Sequence, residues 1–267
     1  MHHAERRLPR YCNRRWLSIA AVVLTITAVG ALESCTRSAD AAGARNVAAL
    51  AAIVGEHRQT RARLSGGFEY ARCPVDATAD RLIRGLICDP SPPTAWSSAS
   101  QLRAFAAEIR NNSQFDAHTA GMWDLVWGKP DDAVADLTKA VRRNPSDARA
   151  LNDLAVALSV SAQDHDEPAR LIDAFVAADS AVRLDGSLKE AQFTLAVLLE
   201  QLYLRSNAVD AWKRYLKLDS SSPWADEART RIAGLERVTE NGGHVRTELQ
   251  EAVSASDSLT VQSLVAR

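Results

Sequence analysis

The chain lacks the spaced motifs by which catalytic and metal-binding residues are recognised. Its 267 residues include four cysteines, with no CxxC pair and no histidine pairing at metal-ligand spacing, so zinc is not expected. No glycine-rich phosphate loop, GxSxG, HExxH or Cys-His signature occurs. Neither catalytic activity nor a cofactor is therefore expected. Aromatic residues are scarce at 6%, and the 12 glycines and nine prolines fall mostly between helical runs, which with abundant alanine predicts an all-α chain. Excess charge is also missing, since 32 Lys and Arg stand against 33 Asp and Glu. Residues 114–235 are mildly acidic, with 14 Lys or Arg against 19 Asp or Glu, and offer no electrostatic footprint for nucleic acid.

Long apolar runs are absent except for one. Trp16–Leu32 carries no charge and follows Arg6, Arg7, Arg10, Arg14 and Arg15. As a helix it would reach about 25 Å against a hydrocarbon core of about 30 Å. The basic start is expected to stay cytoplasmic and everything after Leu32 to lie outside. A single-pass inner-membrane anchor is the first expectation. A lipoprotein is the second, because Leu32-Glu33-Ser34-Cys35 resembles a lipoprotein cleavage box with Cys35 as the lipidated residue. A cleaved secretory signal is the third. On an oxidising side a disulfide between Cys73 and Cys88 becomes available, with two unpaired thiols as the alternative.

In chain order, residues 1–15 form the basic terminus, 16–32 the anchor or signal, 33–43 a small polar linker, and 44–113 a helical region. Within that region the spacing of Val47, Leu50, Ala51 and Val54 predicts a helix from Ala44 through His57 to about Leu64, stopped by Ser65-Gly66-Gly67. A short helix is expected over Val75–Cys88 and another over Ser97–Arg110, the latter burying Leu102, Phe105, Ala106 and Ile109.

Residues 114–235 repeat. Ala133, Leu137, Ala140 and Pro145 match Ala174, Ala178, Ala181 and Gly186, and again Ala208, Trp212, Tyr215 and Ser220, at one set of offsets. Upstream of each set lies a partner segment with a small residue: Gly121, then Ala155, then Ala196. The units are 114–147, 148–188 and 189–222, succeeded by a capping helix over 223–235 and a flexible break with partial helices over 236–267. The second unit holds seven extra residues, read as an acidic solvated turn within Val160–Ala169, with Pro168 opening the next helix.

This pattern resembles the tetratricopeptide repeat, in which small residues let two helices approach closely and successive pairs stack. The resemblance implies a solenoid of about three helix pairs and a concave groove lined by the first helix of each pair. The groove positions would be Phe115, His118, Met122, Leu125 and Val126, then Arg149, Asn152, Val156 and Ser159, then Glu190, Phe193, Val197, Glu200 and Gln201. That groove is apolar at one end and acidic at the other. The apolar residues of the first unit either line it or pack under the helix 97–110.

A narrower resemblance joins Arg63–Tyr70, Trp212–Asp219 and Ser221–Ala225 to the membrane-anchored N-terminal region of bacterial CHAT-type, caspase-like proteins. The peptidase His and Cys have no matching positions here. The expected function is a non-catalytic scaffold holding a protein or peptide partner in the groove. A regulatory part of a CHAT-type peptidase system and an envelope-assembly lipoprotein are the alternatives.

Overall fold

The computed structural model describes residues 42–73, 88, 92–111 and 116–237, without the side chains of 108–111. The expectations for the anchor, the linker, Cys35, Ile109, Phe115, the helix over 75–87 and the segment after 237 lie outside the described residues. The chain divides into two compact units, residues 1–45 and 46–267, and the helix packing and groove belong to the second.

Helices make up most of the described residues: α1 (residues 42–54), α2 (Ala99–Asn111), α3 (Ala117–Val126), α4 (Pro130–Arg143), α5 (Ala148–Asp164), α6 (Pro168–Leu184), α7 (Lys189–Gln201), α8 (Arg205–Leu218) and α9 (residues 223–237). A 3-10 turn, Pro93–Ala95, precedes α2. None of these helices is long and apolar enough to cross a membrane.

From α3 to α8 the helices pack in antiparallel pairs. Each helix contacts the next, and α5 also contacts both α3 and α7. First helices thus stack on first helices, which is the packing of a helical-repeat solenoid. The small residues make this approach possible. A Cβ on Gly121 would stand 2.5 Å from Leu137 Cγ and 3.1 Å from the Ala133 carbonyl. Ala133, Ala174, Ala178, Ala181 and Ala208 are all fully buried between helices.

The backbone repeats more faithfully than the side chains. Between the helices of each pair one residue takes positive φ: Gly128 at 69°, Asp166 at 55° and Tyr203 at 57°. Each pair then ends on a residue with nearly the same geometry: Asn144 (φ −134°, ψ 86°), Asp185 (−138°, 91°) and Asp219 (−142°, 101°). In all three the amide donates to the carbonyl four residues back, at 3.0, 2.9 and 3.0 Å. Asp116 and Asp147 cap the N-termini of α3 and α5, and Pro130 and Pro168 occupy the first turns of α4 and α6.

Two expectations are corrected here. The exposed turn expected after Asp164 is present at residues 165–167, but it does not hold the seven extra residues of the second unit. α5 has 17 residues where α7 has 13, and α6 has 17 where α8 has 14, so the excess is four plus three. About one turn is added to each antiparallel helix, and the connection keeps its length. The helix expected to reach Leu64 instead ends at residue 54, where Gly55 takes φ 58°. A glycine in this conformation is the commonest helix stop.

Candidate interaction groove

The chain beyond Gly55 fills the groove. Arg58, Thr60, Ala62 and Leu64 are buried while Gln59, Arg61 and Arg63 between them are partly exposed, the two-residue alternation of extended chain. This segment, with its return through Tyr70 and Ala71, is called the plug (residues 58–71). The Arg58 guanidinium closes it by donating to the carbonyls of Thr60 (2.9 Å), Arg61 (2.5 Å) and Ala71 (3.1 Å). Gly66 turns it back against α1. Its φ is 97°, and a Cβ there would lie 2.4 Å from Val47 Cγ1, so glycine is required twice over.

The inner helices hold the plug by its main chain. Asn152 Nδ2 on α5 and Thr194 Oγ1 on α7 both donate to the Arg63 carbonyl, at 3.0 and 3.2 Å. The Ser65 amide donates to Asp153 Oδ1 at 2.8 Å, and Asn152 Nδ2 lies 3.0 Å from Ser65 Oγ. Asp153, fully buried, also takes His118 Nε2 at 2.7 Å on Oδ2. Burial opposes protonation of His118, but the hydrogen bond and charge of Asp153 outweigh it and raise the imidazole above its usual value.

The side chains of the plug meet the ends of the groove differently. Ala62 and Leu64 join an apolar cluster with Val47, Leu50 and Val54 of α1, Leu102 and Phe105 of α2, and Met122, Leu125 and Val126 of α3. The arginines meet carboxylates. Arg58 pairs with Glu227 at 2.5 Å and lies over the Trp224 ring, 4.4 Å from its centroid. Burial lowers the Arg58 guanidinium from its usual value, with Glu227 acting against that. Arg63 donates to Tyr215 Oη at 2.8 Å and Asp219 Oδ2 at 3.3 Å, and stands 3.9 Å from Glu190. Burial works against ionisation of Asp219, but hydrogen bonds from Ser222 and Tyr215 hold its carboxyl at about 2. Arg231 on α9 bridges Glu227 (2.7 Å) and Glu200 (3.0 Å), and Glu200 also accepts from Trp212 Nε1 at 2.5 Å.

The residues expected to line an open groove therefore have specific places. His118 and Asn152 reach the plug or its partners directly, and Glu190 and Glu200 face its arginines. Met122, Val156, Phe193 and Val197 are fully buried in core. Phe193 makes edge contacts with Trp212, Tyr215 and Trp224. Ser159 Oγ bonds Gln201 Oε1 at 3.0 Å. Arg149 is exposed. Of the two readings of the first unit's apolar residues, the structure has the second: they pack under α2, and under α1 and the plug as well, so this end of the groove is covered.

Sequence reasoning missed Asp153, Thr194, Glu227 and Arg231, which lie one step off the expected positions or on the capping helix. It also missed the plug, whose alternation of Arg58, Thr60, Ala62 and Leu64 was the available signal. The segments 63–70, 212–219 and 221–225, singled out together from sequence, meet here: Tyr70 packs edge-on against Trp224 at 5.1 Å and Arg63 lies over the same ring at 4.9 Å. A disulfide joins Cys73, just beyond the plug, to Cys88, and the Cys88 amide donates to the Gln59 carbonyl at 3.2 Å. No protein-family model matches the chain, and a search of curated proteins finds no match.

Proposed function

We propose that this chain is a non-catalytic interaction scaffold of the tetratricopeptide class whose groove is built for an extended, arginine-bearing segment, with residues 58–71 as its resident occupant. The observation that carries this is the grip of Asn152, Asp153 and Thr194 on the main chain of the plug. Side chains of two successive inner helices bonding one extended backbone is how a groove recognises a peptide strand. A protein partner then meets either the surfaces that the plug leaves open or, by exchange, the groove itself. The Cys73–Cys88 bridge and the basic start before residue 16 support a place on the outer side of the inner membrane. The regulatory-half alternative draws support from the contact between the segments that carry the CHAT-type resemblance.

The test uses the full chain with Arg58→Ala and Arg63→Ala, its helical content checked by circular dichroism. The plug should leave the groove, and a synthetic peptide of residues 56–72 should bind saturably in trans while its arginine-free version does not. A folded variant that takes up neither peptide, or both equally, contradicts the proposal.

A further inference from the structure

The seven added residues leave a step in the array. At the end where each pair turns, α5 and α6 overhang α7 and α8. Beneath the overhang is a cavity of about 300 Å³, walled by Ala162, Pro168 and Leu171 on one side and Leu202 and Tyr203 on the other. That volume is at the lower end of the range for small-molecule sites, and the mixture of apolar walls with a few polar groups is typical of them. Tyr203 in its wall is 59% exposed.

Arg61 of the plug lines the same cavity. It belongs to a chain of buried charges, Arg58–Glu227–Arg231–Glu200–Arg61, in which three guanidinium groups face two carboxylates and one positive charge is left over. The excess falls on Arg61. Both Glu200 oxygens are already engaged, by Trp212 and Arg231, and Arg61 stands 4.0 Å from the nearer one. Among the described residues its guanidinium makes no hydrogen bond. Burial, with Arg231 nearby, brings it down to about 10, so it stays protonated at neutral pH. Of the acidic groups at the mouth, Glu167 is paired with Arg170 at 2.5 Å, and Asp166 is exposed and screened by water.

We propose that this cavity binds a small apolar carboxylate, its carboxyl group paired with Arg61 and its hydrocarbon body packed on Leu171 and Leu202. A carboxylate matches the guanidinium fork in two hydrogen bonds and supplies the missing negative charge. An amine would add a further cation beside Arg61 and Arg231, and a neutral group would leave Arg61 with only the shared Glu200, 4.0 Å away, in a drier site. This goes beyond the scaffold proposal, because the cavity lies where the second and third helix pairs turn and does not require the plug to move.

The test is titration of the full chain, monitored by the methyl resonances of leucine and by calorimetry. Octanoate should bind saturably, octanol at least tenfold more weakly and octylamine not at all. Acetyl-alanyl-leucine with a free carboxylate, against its amide, separates a peptide C-terminus from a free acid: tighter binding of either carboxylate names the source. Arg61→Gln should weaken octanoate at least tenfold. Leu171→Trp, which fills the cavity and leaves Arg61 in place, should abolish binding with an unchanged unfolding transition. Absence of saturable binding, equal binding of octanol, octylamine or the amide, or binding that survives Leu171→Trp would overturn the proposal.

Discussion

The two ends of the groove hold one plug by opposite means. At the α3 end, Ala62 and Leu64 sit under α1 and α2 as well as on the array, with Leu64 only 8% exposed. Apolar residues suit this end, enclosed on several sides, because burying them costs no hydrogen bonds. At the α9 end the plug presents Arg58 and Arg63 to Glu227, Asp219 and Glu190, with the Trp224 face beneath. Charges removed from water there require their partners. The apolar end holds the plug by burial, and the charged end, where each arginine meets its own carboxylates, favours one direction and register of the plug.

Breaking the charged end should therefore cost most. Glu227→Ala leaves Arg58 without its carboxylate and Arg231 with Glu200 alone, their side chains 4% and 5% exposed. A loss of about 3–5 kcal/mol is expected in urea unfolding, with the amides of the plug exposed first. At the other end, Gly121→Ala pushes a methyl group into Leu137. It should cost about 1–3 kcal/mol through overpacking, measured the same way, and leave the amide protection of the plug in place.

The smallest effect lies between the ends and depends on pH. His118 is raised above 6.5 because Asp153 outweighs the burial that opposes protonation. Its contribution is therefore complete below the unfolded value of 6.5 and is lost as pH rises through the folded-state value. Stability should decline across neutral pH, and His118→Gln should remove that decline. A variant that keeps the wild-type profile would show that Asp153 is held by Asn152 and Ser65 alone.

The array was legible from the sequence because close helix packing leaves a mark that survives substitution. Ala133, Ala174 and Ala208 recur because larger side chains do not fit where they stand. The plug was hidden for a different reason. Its stability comes from long-range partners, such as Arg58 with Glu227 and Ser65 with Asp153, which sequence spacing does not connect. Gly55 did mark the end of α1, but the apolar stripe before it invited continuation of the helix through His57. The extra residues of the second pair misled likewise, since Asp164-His165-Asp166 is polar enough to suggest an inserted turn. The array instead added a turn to each helix, and Asp166 keeps the same left-handed position as Gly128 and Tyr203.

Hydrogen exchange of the Ser65 amide, which donates to the buried Asp153 carboxylate, tests most directly that the groove is filled by the chain's own segment. The account predicts protection equal to that of the central amides of α5 and α7, with exchange only when the array itself unfolds. Exchange of Ser65 at least about a hundredfold faster than those helices, in a folded chain, would place the plug outside the groove for much of the time and contradict the account.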